Sequence, residues 1–372
     1  MRGLENPNRN LFCYVDLEKR VPQDHPLRAI RKLADAVLKG LDGKFDEMYA
    51  VMGRASIPPE MLLRASLLQA FYSVRSERQL MEQTDYNLLF RWFVGLAADD
   101  AVWHPTVFTH NRDRLMKADV AQEFLTGLMN LAEVKQLLSE EHFSVDGTLI
   151  EAWASMKSFV PKDGSGEPPG PGRNGTRDFH NEKRSNETHE SKTDPDARLY
   201  RKADGKESKL CFMGHVLMEN RNGLAVEATL TKATGTAERE ATITMLKRQS
   251  TKKPVTKKPV TLGADKAYDV TSFIEDLRER NVTPHIAVNG TVSKLGNIRK
   301  TAMDQPTLQS EGYTISQRCR KRIEEIFGWV KKPVGLARTM LRGLEKLETA
   351  FTLTIIAYNL IRIPKLLAAK PA

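Results

Sequence analysis

QRCRKRIEEIFGWVKK, residues 317–332, sets two glutamates among arginines and lysines on a stretch with helical periodicity. At about 3.6 residues per turn, Arg320, Glu324 and Lys331 share one stripe, while Ile323, Ile326, Phe327 and Val330 gather on the adjoining apolar arc. Glu325 points away from that arc. Glu324 therefore stands at the edge of a buried face, with Arg320 one turn before it and Lys331 two turns after it. Read alone, the pattern also suits an amphipathic helix carrying ion pairs four residues apart, which stabilise it only slightly. Two acids upstream lift it above that reading. Asp146, in HFSVDGTLIEA, and Asp265, in VTLGADKAYDV, both occupy strand-like places.

Working outward, the elements between these acids follow a recognisable order. HFSVDGTLIEA alternates as a strand, and KLCFMGHVLMENRNGLAVEATLT gives two runs joined at Asn220-Arg221-Asn222-Gly223, a hairpin signal. TGTAEREATITMLKRQ predicts a helix, PVTLGADKAYD a strand ending at Asp265, DVTSFIEDLRERN another helix, and HIAVN a short buried strand. Strand, hairpin, helix, strand, helix, strand and a last helix bearing Glu324 is the order of a ribonuclease-H-like α/β fold, whose mixed sheet would hold both aspartates close together.

Upstream the chain reads as all-helical. Leu27, Ile30, Leu33, Ala34, Val37 and Leu38 recur at helical spacing until Gly40 and Gly43 stop the pattern, and Pro58-Pro59 open a second helix. Ser76-x-x-Gln79 predicts a capping box, and YNLLFRWFVGL the packed centre of the helical unit. Pro105 and Thr106 predict the start of a helix displaying His110, Asn111, Arg112, Arg114 and Lys117, and Asp119-x-x-Gln122 the cap of another. Two short helices with a tight junction suit either a helix-turn-helix presenting these side chains to phosphates and base edges or a plain solvated helix face. The expected organisation is a helical DNA-binding domain over 1–138, an α/β catalytic domain over 139–335, and a helical C-terminal region over 336–372.

Together the three acids form a D…D…E set that resembles the DDE transposases of bacterial insertion sequences, in the insertion-sequence four/five-like superfamily with its Tyr-x2-Arg-x3-Glu-x6-Lys signature. Arg320, Glu324 and Lys331 fit that spacing; Gln317 stands at the tyrosine position, with Tyr313 four residues earlier. Asp146-Gly147-Thr148 looks like the family's first aspartate motif and Asp265-Lys266-Ala267-Tyr268 like its second. The resemblance spans about residues 10–365. It implies cleavage at terminal inverted repeats and strand transfer into target DNA by a dimer or larger synaptic assembly. The alternative is a catalytically inactive, sequence-specific DNA-binding descendant.

The chemistry asks for little beyond these acids. Two divalent cations roughly 4 Å apart activate the attacking oxygen and stabilise the leaving one, and Mg²⁺, with Mn²⁺ as its substitute, takes hard carboxylate ligands. Asp146, Asp265 and Glu324 are the expected catalytic and metal-binding residues. Arg320 and Lys331 are the expected DNA contacts beside them, with Arg112, Arg114 and Lys117 from the N-terminal unit.

Composition agrees with a nucleic-acid partner. Lys+Arg 57 against Asp+Glu 47 leaves a net +10 over 372 residues, an excess that favours a polyanion. Cys13, Cys211 and Cys319 lie too far apart for a disulfide framework or a zinc site. FTLTIIAYNLI, residues 351–361, is shorter than the ~18 apolar residues of a membrane span and carries Asn359, so it predicts a buried helix in a cytoplasmic, nucleoid-associated protein. Residues 158–208, rich in Gly, Pro, Asn, Ser and Lys, predict a mobile loop whose Thr193–Arg198 part orders on DNA. His180 and His189 there, near Asp178 and Glu182, read as solvated polar groups. TKKPVTKKPVT, residues 251–261, is a repeated unit read as a basic surface loop.

Overall fold

A computed structural model describes residues 15–49, 52, 56–117, 119–163, 184–201, 207–252, 260–290 and 301–369. The chain begins with helices α1 (Leu17–Arg20), α2 (Pro26–Gly40), α3 (Asp42–Met48), α4 (Pro59–Phe71), α5 (Glu77–Tyr86), α6 (Leu88–Val94), α7 (Pro105–Lys117), α8 (Val120–Asn130) and α9 (Ala132–Lys135). Strands β1 (His142–Glu151), β2 (Phe159–Pro161), β3 (His189–Ser191), β4 (Arg198–Tyr200), β5 (Lys209–Glu219) and β6 (Ala225–Lys232) follow. Helix α10 (Ala237–Lys252), β7 (Val260–Ala264), α11 (Thr271–Glu279) and β8 (Val282–Ile286) come next. Helices α12 (Gln305–Gln309), α13 (Glu311–Arg320), α14 (Ile323–Lys331) and α15 (Leu344–Ala368) close the chain.

Local chemistry accounts for the helical part. Helix α2 buries the six apolar residues expected from its spacing and starts on Pro26 at its first turn. Its end is at Gly40, but Gly43 lies inside α3 rather than stopping it. The Ser76 hydroxyl accepts from Gln79 N at 3.1 Å, as a capping residue should. Asp119 does not cap α8. It sits at the α7–α8 junction with φ of 54° and makes no side-chain cap bond.

The sheet runs β6-β5-β1-β7-β8, with β4 pairing the first residues of β5 beyond the end of β6. β5 is antiparallel to both β1 and β6, whereas β1, β7 and β8 are parallel to one another. That mixed order is ribonuclease-H-like. At the β5–β6 turn, the fully buried Glu219 carboxylate accepts from the backbone N–H groups of Ser139, Arg221, Asn222 and Leu224 at 2.8–3.0 Å. Four donors offset the cost of burying that charge.

Helix α15, with α8 beside it on β6, joins the helical part to the sheet. It packs on β6 on one side and on α2, α4, α7 and α8 on the other, so it is apolar around most of its circumference. By length and composition it passes as a membrane span, yet most of it is buried inside the fold. Phe351 presses so closely on Gly214 that a Cβ there would lie 2.7 Å from its ring. One apolar cluster extends from Val21 to Ile363 through both parts.

The expected mobile loop is largely ordered where it is described. β2 pairs β3, β4 joins the main sheet, and Asp194 and Asp196 accept from Gly343 N and Leu344 N at the start of α15 at 3.1–3.3 Å. Thr193–Arg198 therefore holds its place without DNA, because it supplies acceptors to a helix N-terminus that has unpaired N–H groups. Residues 164–183, with Asp178, His180 and Glu182, lie outside the described residues, as do Cys13 and most of the TKKPV repeat. His189 is not a solvated group: it is buried, with its ring stacked on Phe159.

Candidate active site

β1 and β7 pair in parallel register, with Phe143 opposite Leu262 and Ser144 opposite Gly263. Asp265 follows β7 directly and is still extended, at φ −80° and ψ 178°. The ladder ends at that pair; carried two residues further, the same register leads from Ser144 to Asp146 and from Gly263 to Asp265, whose charges both reach the Tyr268 hydroxyl. Each carboxylate is steadied by nearby backbone: Asp146 Oδ1 accepts from Gly147 N and Asp265 Oδ1 from Ala267 N, both at 2.8 Å.

Alternation along β1 decides which way these acids face. A Cβ on Gly263 would meet Ser144 Oγ at 3.0 Å and the Ser316 carbonyl of α13 at 3.5 Å, so Ser144 and Gly263 look toward α13. Asp146 and Asp265, two residues further on, look the same way. On the opposite face, the Glu238 carboxylate of α10 comes within 2.8 Å of where a Gly147 Cβ would be. Gly147 is needed there because only a residue without a side chain admits Glu238 so near β1. Burial raises the Tyr268 hydroxyl well above its ordinary pKa, and the neighbouring negative charges of Glu238, Asp146 and Asp265 raise it further.

The stretch expected to be one helix is two. α13 ends at Arg320 and α14 starts at Ile323, and the intervening bonds run three residues back: Arg322 N to Cys319 O, Glu324 N to Lys321 O and Glu325 N to Arg322 O. This 3₁₀ tightening turns the chain by more per residue than an α-helix does, so the single stripe of Arg320, Glu324 and Lys331 is broken at its midpoint. Arg322 donates to the Asn220 and Arg221 carbonyls at 3.4 and 3.1 Å, and beyond α14 the Ala337 carbonyl accepts from Glu151 N at 3.0 Å. Helix α14 thus lies along β1, and Asp146 falls between those two anchors.

Glu324 is exposed in the first turn of α14, and its carboxylate makes no hydrogen bond or ion pair with the described residues. Glu325 is taken up by Arg362 of α15 at 3.6 Å. Arg320 is half-buried and its Nε donates to Gln317 Oε1 at 3.3 Å; Lys331 is half-buried at the end of α14. Asp146 and Asp265 therefore both lie near the Tyr268 hydroxyl, with Arg320 tied through Gln317 to the ends of β7 and β8, whereas Glu324 has no hydrogen-bond or ion-pair partner among the described residues. Among the described residues no three His, Cys, Asp or Glu side chains gather as a group able to hold a metal ion. The donor chemistry of the two aspartates suits an oxygen-seeking divalent cation, and Glu324 would have to join them to complete the set.

The N-terminal candidates divide. Arg112 is 8% exposed and is held by Glu77 of α5 and by Asp113, so it locks α7 onto α5 and is not displayed. Arg114 is exposed, its guanidinium 5.0 Å from the Tyr49 ring centroid. Lys117 ends α7, with its side chain outside what is described. Two residues around these strands were poorly marked in the sequence: Glu238, on the far face of β1 and readable only through the glycine it faces, and Gln317, which the spacing marks but does not explain.

Two family matches divide the chain. Residues 15–114 match the Transposase domain (DUF772), and residues 139–360 match the Transposase DDE domain. No curated protein matches it. Among solved structures it is similar to the piggyBac transposase in its synaptic complex with hairpin DNA, at 11% identity and a TM-score of 0.39, over 90% of this chain and 74% of that one. It is also similar to the Mos1 strand transfer complex, at 10% identity and 0.20, over 78% and 82%, and to the Mos1 mariner paired-end complex with Mn, at 13% and 0.21, over 90% and 86%.

Proposed function

The chain belongs to the Transposase DDE domain family, and from that premise we propose that it cuts DNA at the terminal inverted repeats of an insertion sequence and transfers the freed strands to target DNA. It is read as a member of the insertion-sequence four/five-like group, with Gln317 in place of the signature tyrosine. The observation that supports the proposal is the parallel register of β1 and β7, which runs through Ser144 and Gly263 toward Asp146 and Asp265.

Asp146 and Asp265, with Glu324 joining from α14, would hold divalent cations, Mg²⁺ or Mn²⁺. When bound, such ions activate an attacking water or 3′-hydroxyl and stabilise the leaving oxygen. The chain's own side chains do the rest. Arg320 and Lys331 offset phosphate charge beside the acids, and Arg114 and Lys117 of α7 are proposed contacts for the flanking duplex. A dimer or larger assembly would hold two DNA ends together in the bacterial cytoplasm.

Asp146→Asn, Asp265→Asn and Glu324→Gln should each slow cleavage of a labelled end duplex at least about a hundredfold while leaving DNA affinity within about threefold. Gel quantification of cut product beside a binding titration checks this. Normal cleavage by Glu324→Gln together with loss in Glu325→Gln would move the third acid to position 325.

A further inference from the structure

We propose that Gln317 is a positioning residue that aims the Arg320 guanidinium at the DNA phosphate held beside Asp265, an inference that rests on the transposase reading and deepens it. Helix α13 is seated on the C-terminal ends of β7 and β8 by three polar side chains. The Tyr313 hydroxyl donates to the Ile286 carbonyl at 3.3 Å, Ser316 Oγ pairs with His285 Nδ1 at 2.7 Å, and Gln317 Nε2 donates to the Ala264 carbonyl at 3.4 Å and to the His285 carbonyl. Ala264 is the residue before Asp265, so the amide is anchored next to one of the paired acids.

With both amide hydrogens engaged, the orientation of Gln317 is fixed and Oε1 is left to accept from Arg320 Nε at 3.3 Å. A guanidinium is a rigid plane, so holding its Nε edge sets the direction of the two Nη groups. Among the described residues those groups have no hydrogen bond or ion pair. They form a two-pronged donor of the kind that matches phosphate oxygens. A tyrosine at 317 offers a single hydroxyl and could not serve two strand carbonyls and a guanidinium at once. Gln317 touches Arg320 and not the DNA, so its effect on the reaction passes through that arginine.

The test uses the full-length protein and a labelled duplex carrying the inverted repeat that flanks its gene. Single-turnover cleavage, DNA affinity and thermal midpoint are measured for Gln317→Met, Arg320→Ala, Arg320→Lys and the Gln317→Met/Arg320→Ala pair. Gln317→Met should cut roughly 10- to 100-fold more slowly, because a misaimed group costs rate even when binding survives. The double variant should be no slower than Arg320→Ala alone, as for two residues acting in one unit. Arg320→Lys, which leaves every anchor of α13 in place, should also be slow. Wild-type rates in Gln317→Met or Arg320→Lys, or losses that multiply in the double variant, overturn the proposal while the transposase reading stands. If the unaltered protein leaves the duplex uncut, both fall.

Discussion

At the scale of single residues, neighbours in the sheet have opposite fates. Asp146 faces α13 and the exposed side of the site, whereas His215, paired with Gly147 on the next strand, is wholly buried. Its Nε2 shares a hydrogen bond with Thr231 Oγ1 at 2.8 Å, and its Nδ1 has no hydrogen-bond partner among the described residues. Burial pushes its pKa down to about 3. An unfolded histidine titrates near 6.5, so between those values the unfolded chain binds a proton that the folded chain refuses, and stability falls as pH is lowered through that window. Between pH 7 and pH 4 this one side chain should cost about 3 kcal/mol, at roughly 1.4 kcal/mol per unit. His215→Gln, keeping the Thr231 bond, should flatten that part of the profile. Urea midpoints at the two pH values measure it; identical slopes for variant and parent would contradict the assignment. Arg112 teaches a related lesson: a basic residue on a helix looks the same in sequence whether it meets solvent or, as here, Glu77 of a neighbouring helix.

At the scale of elements, what could be read from the chain was what local periodicity encodes. Alternation in HFSVDGTLIEA, the Asn-Gly turn and the helical spacing of α2 each specify structure within a few residues, and they put Asp146 and Asp265 on strands before any packing is considered. The break between α13 and α14 was not legible, because Lys321 and Arg322 keep right-handed helical angles and neither Gly nor Pro marks the site. Nor was the order in 184–201, which depends on partners at Gly343 and Leu344 that lie more than 140 residues away. Helix α15 was legible as buried, but not as the joint between helices and sheet. Asn359 secures that joint, donating to the Ala225 carbonyl at 2.7 Å and accepting from Ala225 N at 3.0 Å. Asn359→Leu would leave two buried backbone groups unpaired, a loss of about 2–6 kcal/mol at roughly 1–3 kcal/mol for each. A shift of less than 1 kcal/mol in the denaturation midpoint would show that the pair is dispensable, on the same scale.

At the scale of the whole molecule, the helical part reaches the segment that follows α14. Ser73 donates to the Pro333 carbonyl, and Arg75 packs against Gly335, whose φ of +80° and lack of a side chain allow that approach. The segment after Lys331 and Lys332 is thereby held from both sides, by β1 through Glu151 and by the α4–α5 turn. Glu324, at the other end of α14 beside the 3₁₀ turn, is not restrained by side-chain partners. We therefore propose that Asp146 and Asp265 are poised in the free protein and that Glu324 completes the set when DNA and cation are bound. Iron-directed cleavage of the protein backbone tests this most directly: Fe²⁺ replaces Mg²⁺ on the DNA-bound protein, hydroxyl radicals are generated, and the cut positions are mapped. Cuts clustered around 146, 265 and 324 are expected, all lost in Asp265→Asn; cuts at 146 and 265 that spare 324, or cuts elsewhere in the chain, would contradict it.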